Sequence, residues 1–144
     1  MNNLTLEHLA PYLPYRLKIY YEPYAIKYYL SSVGEWNIEL LHPDTGMEYV
    51  KYDSEEFGNH KPILRPMSDL TKEIQVDGWM EGKPFKPIDF IDMHHNFSHL
   101  SLVDIEKDPT RYPYTVVRWL TSLHFDIHGL IDKNLAVNLN TLKQ

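Results

Sequence analysis

The stretch LKIYYEPYAIKYYL, residues 17–30, decides how the fold is read. Leu17, Ile19 and Tyr21 alternate with Lys18, Tyr20 and Glu22; after Pro23 the alternation resumes, Ile26, Tyr28 and Leu30 against Lys27, Tyr29 and Ser31. A period of two sends successive side chains to opposite faces, so the segment predicts two half-buried strands. Outward from it, Ser31-Ser32-Val33-Gly34 predicts a turn into a strand over 35–41. His42-Pro43-Asp44-Thr45-Gly46 predicts another, into a strand over 47–52. The first third of the chain thus reads as an antiparallel β-meander, or as the same strands curled into a small barrel.

The flanks are less regular. Residues 4–13 predict a short helix that Pro11 and Pro14 disturb. Residues 62–66 read as extended, and Ser68 as the N-cap of a short central helix over 69–75. Helical character over 88–102 is weakened by Asn96, Ser98 and Ser101. The strongest helical pattern lies at 113–133, where Pro113 suits a first turn and Val116, Leu120, Leu123, Ile127, Leu130 and Ile131 repeat at three and four residues. Asn134 suits the left-handed residue that ends such a helix, with Leu135 folding back on it and a last short strand over 135–139. The fold class expected is α+β: an N-terminal antiparallel meander or small barrel, a short central helix and a long C-terminal amphipathic helix. With 144 residues, a single domain spanning 1–144 is the expectation.

Apolar residues make up 43% of the chain, enough for a core and too many for disorder. The absence of cysteine excludes disulfides, thiolate nucleophiles and Cys-ligated zinc, which leaves eight His as the soft metal ligands. A net charge of −6 argues against duplex nucleic acid as a partner. No apolar run is long enough to span a bilayer and the N-terminus lacks the pattern of a secretion signal, so a cytoplasmic protein without membrane contact is expected. Gly-x-Ser-x-Gly, P-loop and Gly-x-Gly-x-x-Gly patterns are all missing, and no catalytic residue is assigned.

Three constellations remain. His95 and His99 on one helix, with His124 and His128 one turn apart on another, would give a four-imidazole site for a divalent metal and a metal-dependent hydrolase. Against this, His124 falls inside the apolar arc of its helix, where a neutral core histidine is the competing reading, and the Glu of H-E-x-x-H is absent. Trp119, Phe125 and Arg118 lie off the apolar stripe of 113–133, which suggests a contact surface for a protein partner or a second copy. Lys18, Tyr20, Lys27 and Tyr29 share strand faces, where rings can stack unpaired bases while ammonium groups neutralise phosphate; the alternative is that Tyr simply suits a strand with one wet face. Charge is uneven: residues 1–30 hold three of the 14 basic and two of the 20 acidic residues, a balance of +1, leaving 11 and 18, or −7, for the rest.

LEHLAPYLPY (6–15), ILRPMSDLTKEI (63–74) and HFDI with GLIDK (124–127 and 129–133) together resemble a group of uncharacterised small proteins encoded in gut Bacteroidetes genomes and their prophages or mobile elements. The resemblance implies an accessory role linked to phage or mobile elements, and it brings no catalytic residue and no reaction. The leading expectation is a non-catalytic accessory protein whose Tyr-rich sheet packs on the 113–133 helix and whose exposed aromatics bind a partner. Metal-dependent hydrolysis and single-strand binding are the alternatives.

Overall fold

The computed structural model of the protein describes residues 4–95 and 114–142, with the backbone alone over 92–95. It divides into two compact units, Met1–Leu64 with His128–Gln144, and Arg65–Ile127.

The first unit is built on a six-stranded sheet in the order β4-β3-β2-β1-β5-β6. Its strands are β1 (Lys18–Tyr21), β2 (Ile26–Val33), β3 (Asn37–His42), β4 (Gly46–Lys51), β5 (His60–Leu64) and β6 (Val137–Asn138). Strands β1 to β5 pair antiparallel, with a bulge in β2 between Leu30 and Ser32, whereas β6 runs parallel to β5. The sheet is therefore mixed and open, which corrects the expected fold: β1 to β4 run as consecutive antiparallel neighbours, but they do not close into a barrel, and β5 with the parallel β6, added when the chain returns after 127, extends the sheet beyond β1. Alternation sets the inner face, where Ile19, Tyr28, Leu30, Ile38, Leu40, Val50 and Leu64 are buried. Leu9 from α1 (Leu6–Leu9), Tyr12 from the following 3-10 helix (Ala10–Tyr15), Leu130 and Ala136 complete that core. Pro11 and Pro14 lack an amide proton, so the N-terminal helix tightens into 3-10 form and ends at Arg16, a left-handed residue (φ 56°).

The second unit contains α2 (Pro87–His95), α3 (Tyr114–Ser122) and isolated bridges joining Ile74 to Phe85 and Arg65 to Phe125. Its core gathers Leu70, Ile74, Ile91, Val116, Leu120, Leu123, Phe125 and Ile127. The expected helix over 69–75 is instead a 3-10 turn, Met67–Thr71, after which Lys72 is extended. Asp69 inside that turn is buried against Arg65 (3.8 Å), with Lys72 at 3.6 Å. Burial lowers the Arg65 pKa while Asp69 opposes the shift.

The long C-terminal helix is absent: α3 has nine residues and stops at Ser122. Two side chains compete for its last carbonyls, Thr121 Oγ1 donating to Val117 O and Ser122 Oγ to Trp119 O. His124 then turns left-handed (φ 66°), its N–H bonding to Thr121 O and that of Phe125 to Leu120 O. That bonding pattern is a Schellman stop with Phe125 folded onto Leu120. The same pattern recurs at Asn134 (φ 60°), whose N–H reaches Ile131 O while that of Leu135 reaches Leu130 O, and Gly129 (φ 68°) is left-handed between them. Three left-handed residues in eleven break the stripe. Val116, Leu120, Leu123 and Ile127 enter the core of the second unit, while Leu130 and Ile131 serve the first.

Candidate nucleic-acid interface

Strand register brings the four Lys/Tyr candidates together. Lys18 lies opposite Tyr29 and Tyr20 opposite Lys27, so all four side chains leave one face of the β1–β2 pair in a checkerboard. Their sequence neighbours Ile19 and Tyr28 fill the core on the other face, which fixes the register: a slip by one residue would bury the lysines. Both lysines are exposed and both tyrosines half-buried. The left-handed turn at Arg16 carries its guanidinium over the Tyr29 ring, 4.6 Å from the centroid, with Lys18 Nζ at 6.0 Å. On the far side of Tyr20 stands Lys61 of β5. Its ammonium is held by Glu22 (2.6 Å) and Asn134 Oδ1 (3.3 Å), so Arg16, Lys18 and Lys27 are the cations left facing solvent there.

The same face continues across the sheet. Tyr29 is opposite Leu41 and Leu41 opposite Met47, both partly exposed, and Glu39 pairs with Tyr49 one row away. An aromatic and apolar floor with three cations at one end is what an unpaired strand needs: a π surface for bases and positive charge for the backbone. Sequence reasoning did not find Arg16, because its role depends on a left-handed backbone. Glu22, which neutralises Lys61, likewise acts on a residue 39 positions away.

The other candidates are dispersed. Phe125, expected as an exposed contact residue, is fully buried in the core of the second unit, with the Arg65 guanidinium 6.0 Å from its ring. Trp119 stacks on Phe90 at 4.5 Å and 10° and lies 6.0 Å from Trp79, so it is half-buried among aromatics. Arg118 stays exposed on α3. The surface predicted from these three residues is corrected accordingly, since the early stop of α3 turns Phe125 inward. For the histidines, the shared helical face of His124 and His128 does not exist, because the helix ends before either. His124 is half-buried in the second unit, whereas exposed His128 belongs to the first, its ring 5.6 Å from that of His8. His95 closes α2, and His99 lies outside the described residues. Among the described residues no three His, Asp or Glu side chains converge as metal ligands.

No helix among the described residues is long and apolar enough to cross a membrane. No protein-family model, no curated protein and no solved structure matches the chain.

Proposed function

We propose that this protein binds single-stranded nucleic acid, as a non-catalytic accessory factor in the cytoplasm, on the outer face of β1 and β2. The observation that carries the reading is the register that pairs Lys18 with Tyr29 and Tyr20 with Lys27 on one exposed face. Bases stack on Tyr20 and on the Tyr29–Arg16 pair, while Lys18 and Lys27 meet phosphates. The net charge of −6 does not oppose this, because the acidic excess lies outside residues 1–30. A flat sheet face offers nothing to enter a duplex groove, so unpaired strands are preferred.

The test is fluorescence anisotropy of a labelled oligothymidylate titrated with protein between 50 and 300 mM salt. Two phosphate contacts, from Lys18 and Lys27, give a slope of log affinity against log salt of about −1.4, at about −0.7 per contact on a single strand. Lys18→Ala with Lys27→Ala should reduce that slope by about 1.4, and Tyr20→Ala should weaken binding by about 1–3 kcal/mol at every salt concentration. No binding at 50 mM salt, or a salt-independent isotherm that ignores the lysines, defeats the proposal.

A further inference from the structure

A second feature of the first unit lies away from the Lys/Tyr checkerboard: an open pocket of about 600 Å³. Tyr21 at the end of β1, Tyr24 in the 3-10 turn that follows and Tyr28 of β2 line it, with His60 of β5 at its base. Tyr21 stacks on the His60 ring at 4.6 Å, Tyr24 lies 5.7 Å from Tyr21, and Tyr28 lies 6.1 Å from His60. With Tyr49 of β4 the lining holds five aromatic rings: Tyr28 and His60 are buried and form the floor, whereas Tyr24, at 75% exposure, and Tyr49 are open to solvent. His60 is held in place, its Nδ1–H donating to the Glu56 carbonyl at 2.7 Å.

Two carboxylates share the pocket. Glu56 accepts a hydrogen bond from the Tyr21 hydroxyl at 2.5 Å, and Glu48 is within hydrogen-bonding reach of the Tyr28 hydroxyl. Neither forms a salt bridge among the described residues. Lys51 also borders the pocket, but on β4 it alternates to the face opposite Glu48 and Val50. A phenol that donates to a carboxylate gains electron density, and the ring face, already negative through its quadrupole, attracts a cation more strongly. The Tyr21 pKa is raised first by its bond to Glu56, whereas that of Tyr28 is raised mainly by burial, with Glu48 adding to the shift. Aromatic faces favour a large, weakly hydrated organic cation over a small hydrated metal ion, which needs several converging oxygen ligands.

We propose that the pocket formed by Tyr21, Tyr24, Tyr28 and His60 with Glu48 and Glu56 is a binding site for an organic cation of the alkylammonium class. The occupant's charged group sits against Tyr24 and Tyr21, with Glu48 and Glu56 supplying the countercharge. Titration calorimetry of the full chain with choline chloride, beside its neutral isostere 3,3-dimethyl-1-butanol, tests this directly. Choline is expected to bind at least tenfold more tightly than the isostere. Tyr24→Ala, at an exposed position where the fold loses little, should weaken choline about threefold to tenfold. Glu56→Gln should act in the same direction, whereas Lys18→Ala should leave choline binding unchanged and separate this site from the nucleic-acid face. Equal affinity for choline and the isostere overturns the proposal, as does choline binding that is undetectable at tens of millimolar or indifferent to Tyr24→Ala.

Discussion

The Tyr21 hydroxyl donates to Glu56 Oε2 at 2.5 Å, and that bond, ahead of burial and of the Glu56 charge, pushes the tyrosine pKa up to about 12 from 10. The fold thus favours the neutral phenol. Its contribution to stability is fully present below pH 10 and is lost as pH rises through 12, where the phenolate meets the Glu56 carboxylate. Ultraviolet titration at 295 nm should show one tyrosine ionising near pH 12, and Glu56→Gln should move that step down toward 10. A titration unchanged by Glu56→Gln would mean that the bond does not set the pKa. At this scale the sequence is legible only where chemistry is local. Lys18 and Tyr20 were visible as partners because a period of two needs no distant information. The Tyr21–Glu56 bond spans 35 residues and rests on a 3-10 turn at Glu55–Asn59 that no periodicity announces.

Within the β1–β2 connection, Glu22–Tyr24 forms one 3-10 turn and Ala25 closes it at φ 55°, its N–H reaching back to Glu22 O at 3.4 Å. A Cβ in the left-handed region crowds the following carbonyl, and Ala25 is exposed, so nothing is recovered by packing it. Ala25→Gly should therefore stabilise the protein by about 0.5–1 kcal/mol, the relief of strain exceeding the added freedom of the unfolded chain. Ala25→Val should cost at least as much, because a β-branched side chain tolerates that region least. Urea unfolding of the two variants decides it, and a Gly variant less stable than the parent would show that the turn carries no strain. The same conformational region explains where reading of the elements failed. The pattern over 113–133 satisfied helical spacing throughout, yet the Schellman stop at His124 cuts it and the left-handed Gly129 breaks it again before the expected stop at Asn134. Asn134 announced its own stop, because asparagine tolerates positive φ. His124 gave no such signal: its stop is built from carbonyl competition by Thr121 and Ser122 and from Phe125 folding onto Leu120, none of which alters the spacing of apolar residues.

For the molecule as a whole, the apolar residues read as one stripe belong to two cores, and the chain passes between the two units at 64–65 and again at 127–128. Length alone pointed to a single domain, because 144 residues are few for two. Whether the units behave as one is a thermodynamic question that a pair of core truncations answers. Leu40 and Leu120 are both fully buried, the first in the sheet core and the second in the core around α3. Replacing either with alanine leaves a cavity and costs about 2–5 kcal/mol. Because the two cores are built from separate sets of residues, each should open as its own cooperative unit. Leu40→Ala should then accelerate amide hydrogen exchange in β1 to β4 while the amides of Tyr114–Ser122 keep their parent rates, and Leu120→Ala should do the reverse. If either truncation accelerates both sets equally, the two cores unfold together and the chain is one cooperative domain. Separate opening would also place both binding proposals in the sheet unit alone: Leu120→Ala should leave oligonucleotide and choline affinity intact while the exchange of Tyr114–Ser122 is fast.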